Sequence, residues 1–357
     1  MDRLTEDVGG WNNASTRDDL TNYYEVVPSN YLETLLWAES DRMVNLSVDE
    51  KAFASERDVV KEEYRQGVLA NPYGMLFQYM DSLSYKIHPY KRGVIGNLDE
   101  LEAASLEDAY KFYKEYYRPD NASLIVVGDF DQAQLNGWVD KYFGRIDKPA
   151  GAITRVTAKE AERTEVERFA KKRPNVPLPA VAMTYFAPPS TSADVPALEI
   201  AEAILANGRS SRLYQELVFK KQLAQNAVFF ADIRIDKGLL AFYSIAAGGK
   251  KLEDIEAAML AVVKNLQEEG PTANELQKAK NKLVTGILRE RETANGKAVA
   301  IGEAIIYQQD ASAVNNDVAK LQSVTIENVK GVMNKYFKEN SRAVIFYEKG
   351  EDEGGKE

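Results

Sequence analysis

The chain carries one helix–strand pattern twice, about 220 residues apart. In the first copy, residues 105–117 read as a capped amphipathic helix, and residues 121–128 read as a buried strand. In the second copy, residues 325–337 and 342–347 repeat the same order. The ends of the two helices correspond at a constant offset of 220 positions. A duplicated unit therefore constrains the fold more than any single motif does.

A second pair of landmarks supports the duplication. Ser47 to Glu50 and Thr272 to Glu275 both have the capping-box spacing that begins a helix. In the second copy, residues 177–186 read as a strand and residues 197–205 as a helix. The same offset places the first-copy counterparts of these two elements before Met1. We therefore expect the first half to be N-terminally truncated.

The elements predict an α+β fold of two duplicated halves, each a mostly antiparallel sheet with helices packed on one face. Charged and Pro/Gly-rich segments predict the boundaries. We expect an N-terminal domain over 1–150, a linker over 151–175, a C-terminal domain over 176–350 and a polar tail over 351–357.

Two carboxylates occupy an apolar stripe of the predicted helix at residues 53–65. Phe53, Glu56, Val59, Val60 and Glu63 share one face at helical spacing. A buried carboxylate requires a positive partner, which is either an arginine or a metal ion. The alternative is an ordinary amphipathic helix whose acids turn toward solvent.

Composition limits the possible ligands. The chain has 55 acidic and 45 basic residues, a net charge of −10, no Cys and a single His. The acidic balance disfavours nucleic acid and anionic membranes as partners. Without Cys, thiolate metal sites are excluded. His88 precedes Pro89 and is expected in an extended loop, where one His alone does not make a zinc site.

Several segments together resemble the pitrilysin/insulinase-like zinc metallopeptidases, the inverzincins, in their processing-peptidase branch. The segments read GGWNNASTRDDLTNY at 9–23, AESDRM at 38–43, FASERDVVKEEYR at 53–65, HPY at 88–90, IG at 95–96, YRPDNA at 117–122, VGD at 127–129, YFG at 142–144 and GRSSRL at 208–213. They follow the order and approximate spacing of the family over most of the chain.

The resemblance implies a role for both carboxylates. The family binds zinc through an inverted H-x-x-E-H helix and a later glutamate, with another glutamate seven residues before that ligand. Glu63 corresponds to the metal ligand and Glu56 to the glutamate that supports it. No H-x-x-E-H occurs in this sequence. By the offset it would fall roughly 15–30 residues before Met1.

A partner subunit is implied by a second departure from the family. Single-chain relatives place an Arg and, seven residues later, a Tyr that grip the substrate. Val218 and Gln225 occupy those positions here. In two-subunit members, one subunit carries zinc and the other carries the Arg/Tyr pair. This chain resembles the zinc-bearing subunit, and the resemblance implies a homologous partner with the Arg/Tyr grip.

Peptide binding in the family occurs by β-augmentation on an edge strand. The corresponding residues are Asn13, Ala14, Ser15 and Thr16. The alternative is that Gly9-Gly10 and Asn12-Asn13 only mark a turn before a strand. Likewise, Gly208 in GRSSRL lacks the pattern of a phosphate loop and is expected to end the preceding helix.

The sequence thus predicts a zinc-dependent endopeptidase subunit that hydrolyses extended peptides with a partner and is inactive as this chain. The alternative is a non-catalytic peptide-binding or structural subunit of a heterodimer. A third possibility is a fragment whose exposed sheet edge and apolar face favour aggregation. The family suggests zinc as the cofactor of the complete protein and a bacterial periplasm as its compartment.

Overall fold

A five-stranded sheet organises the second half of the chain in the computed structural model, which describes residues 1–351. The strands are β1 (Trp11–Thr16), β2 (Thr21–Val26), β3 (Glu167–Arg173), β4 (Ala180–Phe186), β5 (Val228–Asp232), β6 (Leu239–Ile245) and β7 (Ala343–Lys349). The large sheet has the order β3-β7-β4-β6-β5, in which only the β3–β7 pair is parallel.

Thirteen α-helices accompany the strands within residues 1–351. They are α1 (Asp2–Glu6), α2 (Leu32–Asn45), α3 (Glu50–Tyr64), α4 (Gly74–Ser82), α5 (Leu98–Ala103), α6 (Leu106–Tyr116), α7 (Gln132–Tyr142), α8 (Val195–Ala206), α9 (Leu252–Glu269), α10 (Ala273–Glu290), α11 (Ala294–Gln308), α12 (Asp317–Ser323) and α13 (Ile326–Tyr336). Two π-helical segments, Arg65–Ala70 and Tyr214–Lys220, and short 3-10 turns complete the chain.

The chain divides into two compact units that differ from the predicted boundaries. Unit 1 comprises 1–64, 94–157 and 290–303, and unit 2 comprises 65–93, 158–289 and 304–351. Residues 65–93 thus belong to the unit that contains the large sheet, because α4 packs on that sheet. The second part of the predicted linker, 151–175, contains strand β3. Of the predicted tail, 351–357, all but Glu351 lies outside the described residues.

The core of unit 2 lies on both faces of the large sheet. Helices α8, α9 and α13 cover one face, where Met183 and Tyr185 of β4 point. Helix α4 covers the other face through Leu76 and Met80. Strand β4 is therefore buried along its whole length, as its continuous apolar sequence requires. The predicted α+β class is confirmed, and α4 adds a helix to the face that was expected to have none.

Unit 1 contains the antiparallel pair β1–β2, with Trp11 opposite Val26 and Thr16 opposite Thr21. The predicted buried strand at residues 121–128 is wrong, since the segment forms no strand and Leu124 is 48% exposed. A strand is stable only with a neighbour to pair with. Its counterpart β7 lies between β3 and β4, whereas residues 121–128 have no ladder partner within 1–351.

Candidate functional site

Glu56 and Glu63 lie on α3 but are not buried. The predicted stripe is displaced, since Glu56, Val59 and Glu63 are exposed, with Val59 at 49%. Phe53 and Val60 are half-buried, and Tyr64 is buried. The expectation of two carboxylates inside an apolar face is therefore wrong for this chain. Both glutamates instead face solvent on one side of the helix.

The rotation of α3 is fixed by two basic side chains that face α5. Arg57 Nη1 donates to the carbonyl oxygen of Ala104 at 3.1 Å and lies 3.4 Å from that of Glu102, at the C-terminal end of α5. Lys61 pairs with the Glu102 carboxylate. Cations are favoured at a helix C-terminus, where the last carbonyl groups lack partners. These contacts turn Arg57 and Lys61 inward and leave Glu56 and Glu63 outside.

The N-terminus of α3 is capped by Asp49. Its Oδ1 accepts a hydrogen bond from the Ala52 N–H at 2.7 Å, and the helix begins at Glu50. The predicted capping box from Ser47 to Glu50 is therefore wrong by two positions. Aspartate at the position before the first helical residue is as good a cap as serine, so both patterns fit the local sequence.

The described residues alone do not fit a zinc site. Within residues 1–351 no group of three or more His, Asp or Glu side chains could hold a metal ion. Zinc in a catalytic site takes three protein ligands, commonly including His. Glu63 thus offers one ligand on the surface of unit 1, and no other residues within 1–351 complete its coordination.

His88 has a structural environment in unit 2. It is 3% exposed, and its Nδ1 accepts a hydrogen bond from the Tyr90 N–H at 3.3 Å. Its Nε2 lies 3.5 Å from Asp236 Oδ2. The buried Glu160 carboxylate accepts from the N–H groups of Ile87 and His88, both at 3.0 Å. Glu160, predicted to lie in the linker, instead fixes this loop.

The predicted peptide-binding segment forms strand β1. Asn13, Ala14 and Thr16 are exposed, and Ser15 is half-buried. Within residues 1–351 β1 pairs only with β2, which leaves its other edge without a ladder partner. The Ala14 N–H donates to the Asn13 side-chain oxygen at 2.8 Å, so this donor is not used by β2. The strand prediction is confirmed, and the substrate role stays a prediction.

Edge strand β5 of the large sheet also has an N–H bonded to a side chain. The Glu202 carboxylate of α8 accepts a hydrogen bond from the Ala231 N–H of β5 at 3.0 Å. A side-chain acceptor on an edge N–H removes a donor that an added strand would need. Both edges thus have one N–H bonded to a side chain, which is the adjacent and exposed Asn13 on β1 and the half-buried Glu202 of another element, α8, on β5.

A half-buried pair of carboxylates, Glu25 and Glu39, lies on β2 and α2. Arg42 bonds Glu39 of the same helix, α2, and its Nη2 lies 3.6 Å from Glu25 Oε1 on β2. Burial first, and then the charge of Glu39, raise the pKa of Glu25 to about 7. One guanidinium therefore serves two carboxylates, and Glu25 is held beside Asn12, its partner in the β1–β2 register.

Val218 and Gln225 do not offer a substrate grip. Val218 lies in the π-helical segment and packs against the core of unit 2. Gln225 is exposed, and its N–H donates to the Ile245 carbonyl oxygen at 2.9 Å. The residues that sequence reasoning missed are Arg57, Lys61 and Asp49. For Arg57 and Lys61, the signal was a basic pair at i and i+4 on a side of α3 away from the two glutamates; for Asp49, it was an aspartate just before the first helical residue.

The sequence matches the family described as "Peptidase M16 inactive domain" over residues 103–283. It is 28% identical to the zinc protease PqqE of Helicobacter pylori over 97% of this chain and 78% of that protein. It is 21% identical to the probable mitochondrial-processing peptidase subunit beta of Arabidopsis thaliana, over 96% of this chain and 66% of that protein.

Solved structures show the same fold. A protease from Helicobacter pylori superposes with a TM-score of 0.91 at 28% identity, covering 97% of this chain and 84% of that one. A peptidase M16 inactive domain from Pseudomonas fluorescens gives 0.83 at 17% identity, covering 98% and 82%. The periplasmic protease PqqL of Escherichia coli gives 0.79 at 14% identity, covering 98% and 38%.

Proposed function

This chain belongs to the peptidase M16 family, and we propose that it is a subunit of a zinc-dependent endopeptidase that acts on extended peptides. In this proposal, Glu63 is one zinc ligand and Glu56 supports it. Strand β1 receives the peptide through Asn13, Ala14, Ser15 and Thr16. The Helicobacter pylori relative is named a zinc protease, which supports the metal and the reaction class.

The open edge of β1 carries the proposal. An extended peptide that adds to an edge strand gains main-chain hydrogen bonds, while its side chains alternate between the two faces. The Ala14 N–H now donates to the Asn13 side chain, which a peptide carbonyl oxygen can replace. Such binding reads the backbone, so it suits a broad class of unfolded peptides.

Zinc, when bound, would polarise the scissile carbonyl and lower the pKa of a bound water. Glu63 would hold it as one of three protein ligands. The H-x-x-E-H residues are not part of this sequence. We therefore expect this chain alone neither to hold a catalytic zinc ion nor to hydrolyse peptides. In this proposal, the residues of β1 bind and orient the peptide. Glu63 is exposed, and the other zinc ligands would come from outside this sequence.

A homologous partner subunit completes the proposal. Val218 and Gln225 offer neither a positive charge nor a phenol where relatives grip the substrate. We propose that the partner supplies this Arg/Tyr pair, and that the assembly works in a periplasm. The Escherichia coli neighbour is described as periplasmic. None of the helices in residues 1–351 is long and apolar enough to cross a membrane.

A non-catalytic peptide-binding subunit is the second candidate. It is favoured by the lack of a three-ligand group within residues 1–351. The two candidates agree on peptide binding at β1 and differ only in whether Glu63 takes part in a metal site.

Zinc content separates the two candidates. Two proteins are purified: the chain alone, and the chain joined at its amino end to an H-x-x-E-H segment of a relative. The joined chain is also made with Glu63→Gln and, as the control, with the neighbouring Glu62→Gln. If the first candidate holds, the joined chain binds one zinc ion per molecule, Glu63→Gln loses it, and Glu62→Gln keeps it. Zinc binding that is unchanged by Glu63→Gln, or absent in the joined chain, supports the non-catalytic subunit.

Peptide binding tests what both candidates share. Ala14→Pro removes an N–H that does not bond to β2. Ser15→Pro is the comparison variant, because the N–H of the next residue points toward β2 and is removed instead. We expect Ala14→Pro to weaken binding of an extended peptide while the far-ultraviolet circular dichroism stays unchanged. Equal binding by the wild type and Ala14→Pro would argue against β1 as the peptide site.

A further inference from the structure

Three cations gather at the loop of residues 207–211, which follows α8 in unit 2. Lys278 and Lys282 lie one turn apart on α10, and both donate to this loop. Lys278 Nζ bonds the Ser210 hydroxyl, and Lys282 Nζ bonds the Asn207 side-chain oxygen and lies 3.3 Å from its carbonyl oxygen. Arg209 is exposed in the same loop. The acceptors that hold the two ammonium groups are all neutral.

None of these three cations has a carboxylate partner in the part of the chain that the structure describes. Glu275, on the same helix as the two lysines, is held by Arg212 through two bonds of 2.8 Å. That pairing lowers the pKa of Glu275 to about 2, so its charge is matched. The loop and the facing turn of α10 therefore carry three positive charges without a carboxylate partner within residues 1–351, on a chain whose net charge is −10.

Contacts of Arg212 and the conformation of Gly208 hold the loop 207–211 in place without a ligand. Arg212 also donates to the Asn265 side chain at 2.8 Å and to the Gly270 carbonyl oxygen at 3.0 Å. Gly208 has φ +95°, a conformation that glycine adopts without strain and that gives the loop its turn. The Ser211 hydroxyl is buried, at 4% exposure, and has no hydrogen-bond partner within residues 1–351.

We propose that the loop 207–211, with Lys278 and Lys282, binds carboxylate groups on an acidic segment of a partner polypeptide. A carboxylate that replaces the neutral oxygens of Ser210 and Asn207 forms charge-assisted hydrogen bonds, which are shorter and stronger. The overall negative charge disfavours a long polyanion such as nucleic acid, whereas a short acidic segment contacts only the basic loop. This inference does not rest on Glu63, β1 or the proposed peptidase role.

Fluorescence anisotropy with labelled hexaglutamate, and with hexaglutamine as the neutral control, tests the proposal on the full chain. The variant Lys278→Gln/Lys282→Gln removes the two charges. The matched control Lys250→Gln/Lys251→Gln removes two exposed lysines elsewhere in unit 2, with the same change in net charge. Lys278→Arg/Lys282→Arg keeps both charges and serves as the rescue variant.

At about 0.05 M salt we expect the loop variant to weaken hexaglutamate binding about tenfold, and the control to change it by less than about twofold. The arginine variant should bind like the wild type, and hexaglutamine should not bind. Equal weakening by the loop and control variants would overturn the proposal, because it would reflect net charge alone. Inorganic phosphate binding at these lysines without hexaglutamate binding would also overturn it, in favour of a free anion.

Discussion

Arg212 and Glu275 meet through two parallel hydrogen bonds, in which Nε donates to Oε1 and Nη2 donates to Oε2, each at 2.8 Å. The same guanidinium reaches the Gly270 carbonyl oxygen, so it joins the end of α9 to the start of α10. Lysine cannot form this planar fork. We expect Arg212→Lys to lower the free energy of unfolding by about 2 kcal/mol, measured by urea denaturation. Arg209→Lys, in the exposed loop, is the matched control and should change it little.

Stability should depend on pH through Glu275. Its pKa falls from 4.5 to about 2 because Arg212 stabilises the carboxylate. A depressed pKa contributes stability that is complete above pH 4.5 and is lost as the pH falls toward 2. After allowance for its partial exposure, we expect the wild type to lose about 2 kcal/mol in this range and Glu275→Gln to lose much less. Parallel acid titrations of the two proteins would contradict this assignment.

Glu25 should give the opposite dependence. Burial, then the charge of Glu39, raises its pKa from 4.5 to about 7, so the folded chain holds a proton that the unfolded chain releases. Stability therefore falls as the pH rises from 4.5 to 7. We expect Glu25→Gln to be more stable than the wild type at pH 8 by about 2 kcal/mol, and to differ little at pH 4. Glu6→Gln, at an exposed position of α1, is the control for the charge change.

Two substitutions test which residue, Asp49 or Ser47, caps the N-terminus of α3. Asp49 accepts the Ala52 N–H, so Asp49→Ala should lower the free energy of unfolding by about 1 kcal/mol. Ser47→Ala removes a hydroxyl that caps no helix and should cost little. Thermal denaturation of both variants distinguishes the two residues, and a larger effect at Ser47 would restore the capping box that the sequence suggested.

We expect His88 to contribute to the stability of the fold and not to zinc binding. Its replacement by Ala leaves a buried gap and removes the His88 Nδ1 acceptor of the Tyr90 N–H, which we expect to cost about 3 kcal/mol. His88→Asn keeps a nearby acceptor and should cost less. Zinc affinity, measured on the chain joined to an H-x-x-E-H segment, should be the same in both variants as in the wild type. A loss of zinc in His88→Asn would instead make this residue a ligand.

Local signals in the sequence were sufficient for three of the four capped helix starts that were predicted. Ser105 with Asp108, Thr325 with Asn328 and Thr272 with Glu275 form the predicted reciprocal caps. A cap depends on residues three apart in the chain, so the sequence contains all that it requires. The α+β class and the family follow from the order of these elements and from the motifs between them.

The failures have causes that are distant in sequence. The helical period on α3 was correct, but which side is buried depends on the contacts of Arg57 and Lys61 with α5, about 40 residues away. Residues 121–128 have the composition of a strand, yet a strand also requires a neighbour. The charged segment around Glu160 resembled a linker in sequence. The Glu160 carboxylate holds the loop at His88, and no residue near Glu160 in the sequence indicates this contact.

The position of β7 in the large sheet has a consequence for synthesis. Strand β7 comes last in sequence among the five strands of this sheet and lies between β3 and β4, so neither of these has its full set of neighbours until residue 349 is available. Strands β4, β5 and β6 can pair with one another earlier, whereas β3 pairs within residues 1–351 only with β7 and stays unpaired until β7 has been made. Holdase chaperones that recognise exposed strands would have this interval in which to act, and a premature stop before β7 would leave β3 without its ladder partner and β4 as an edge strand.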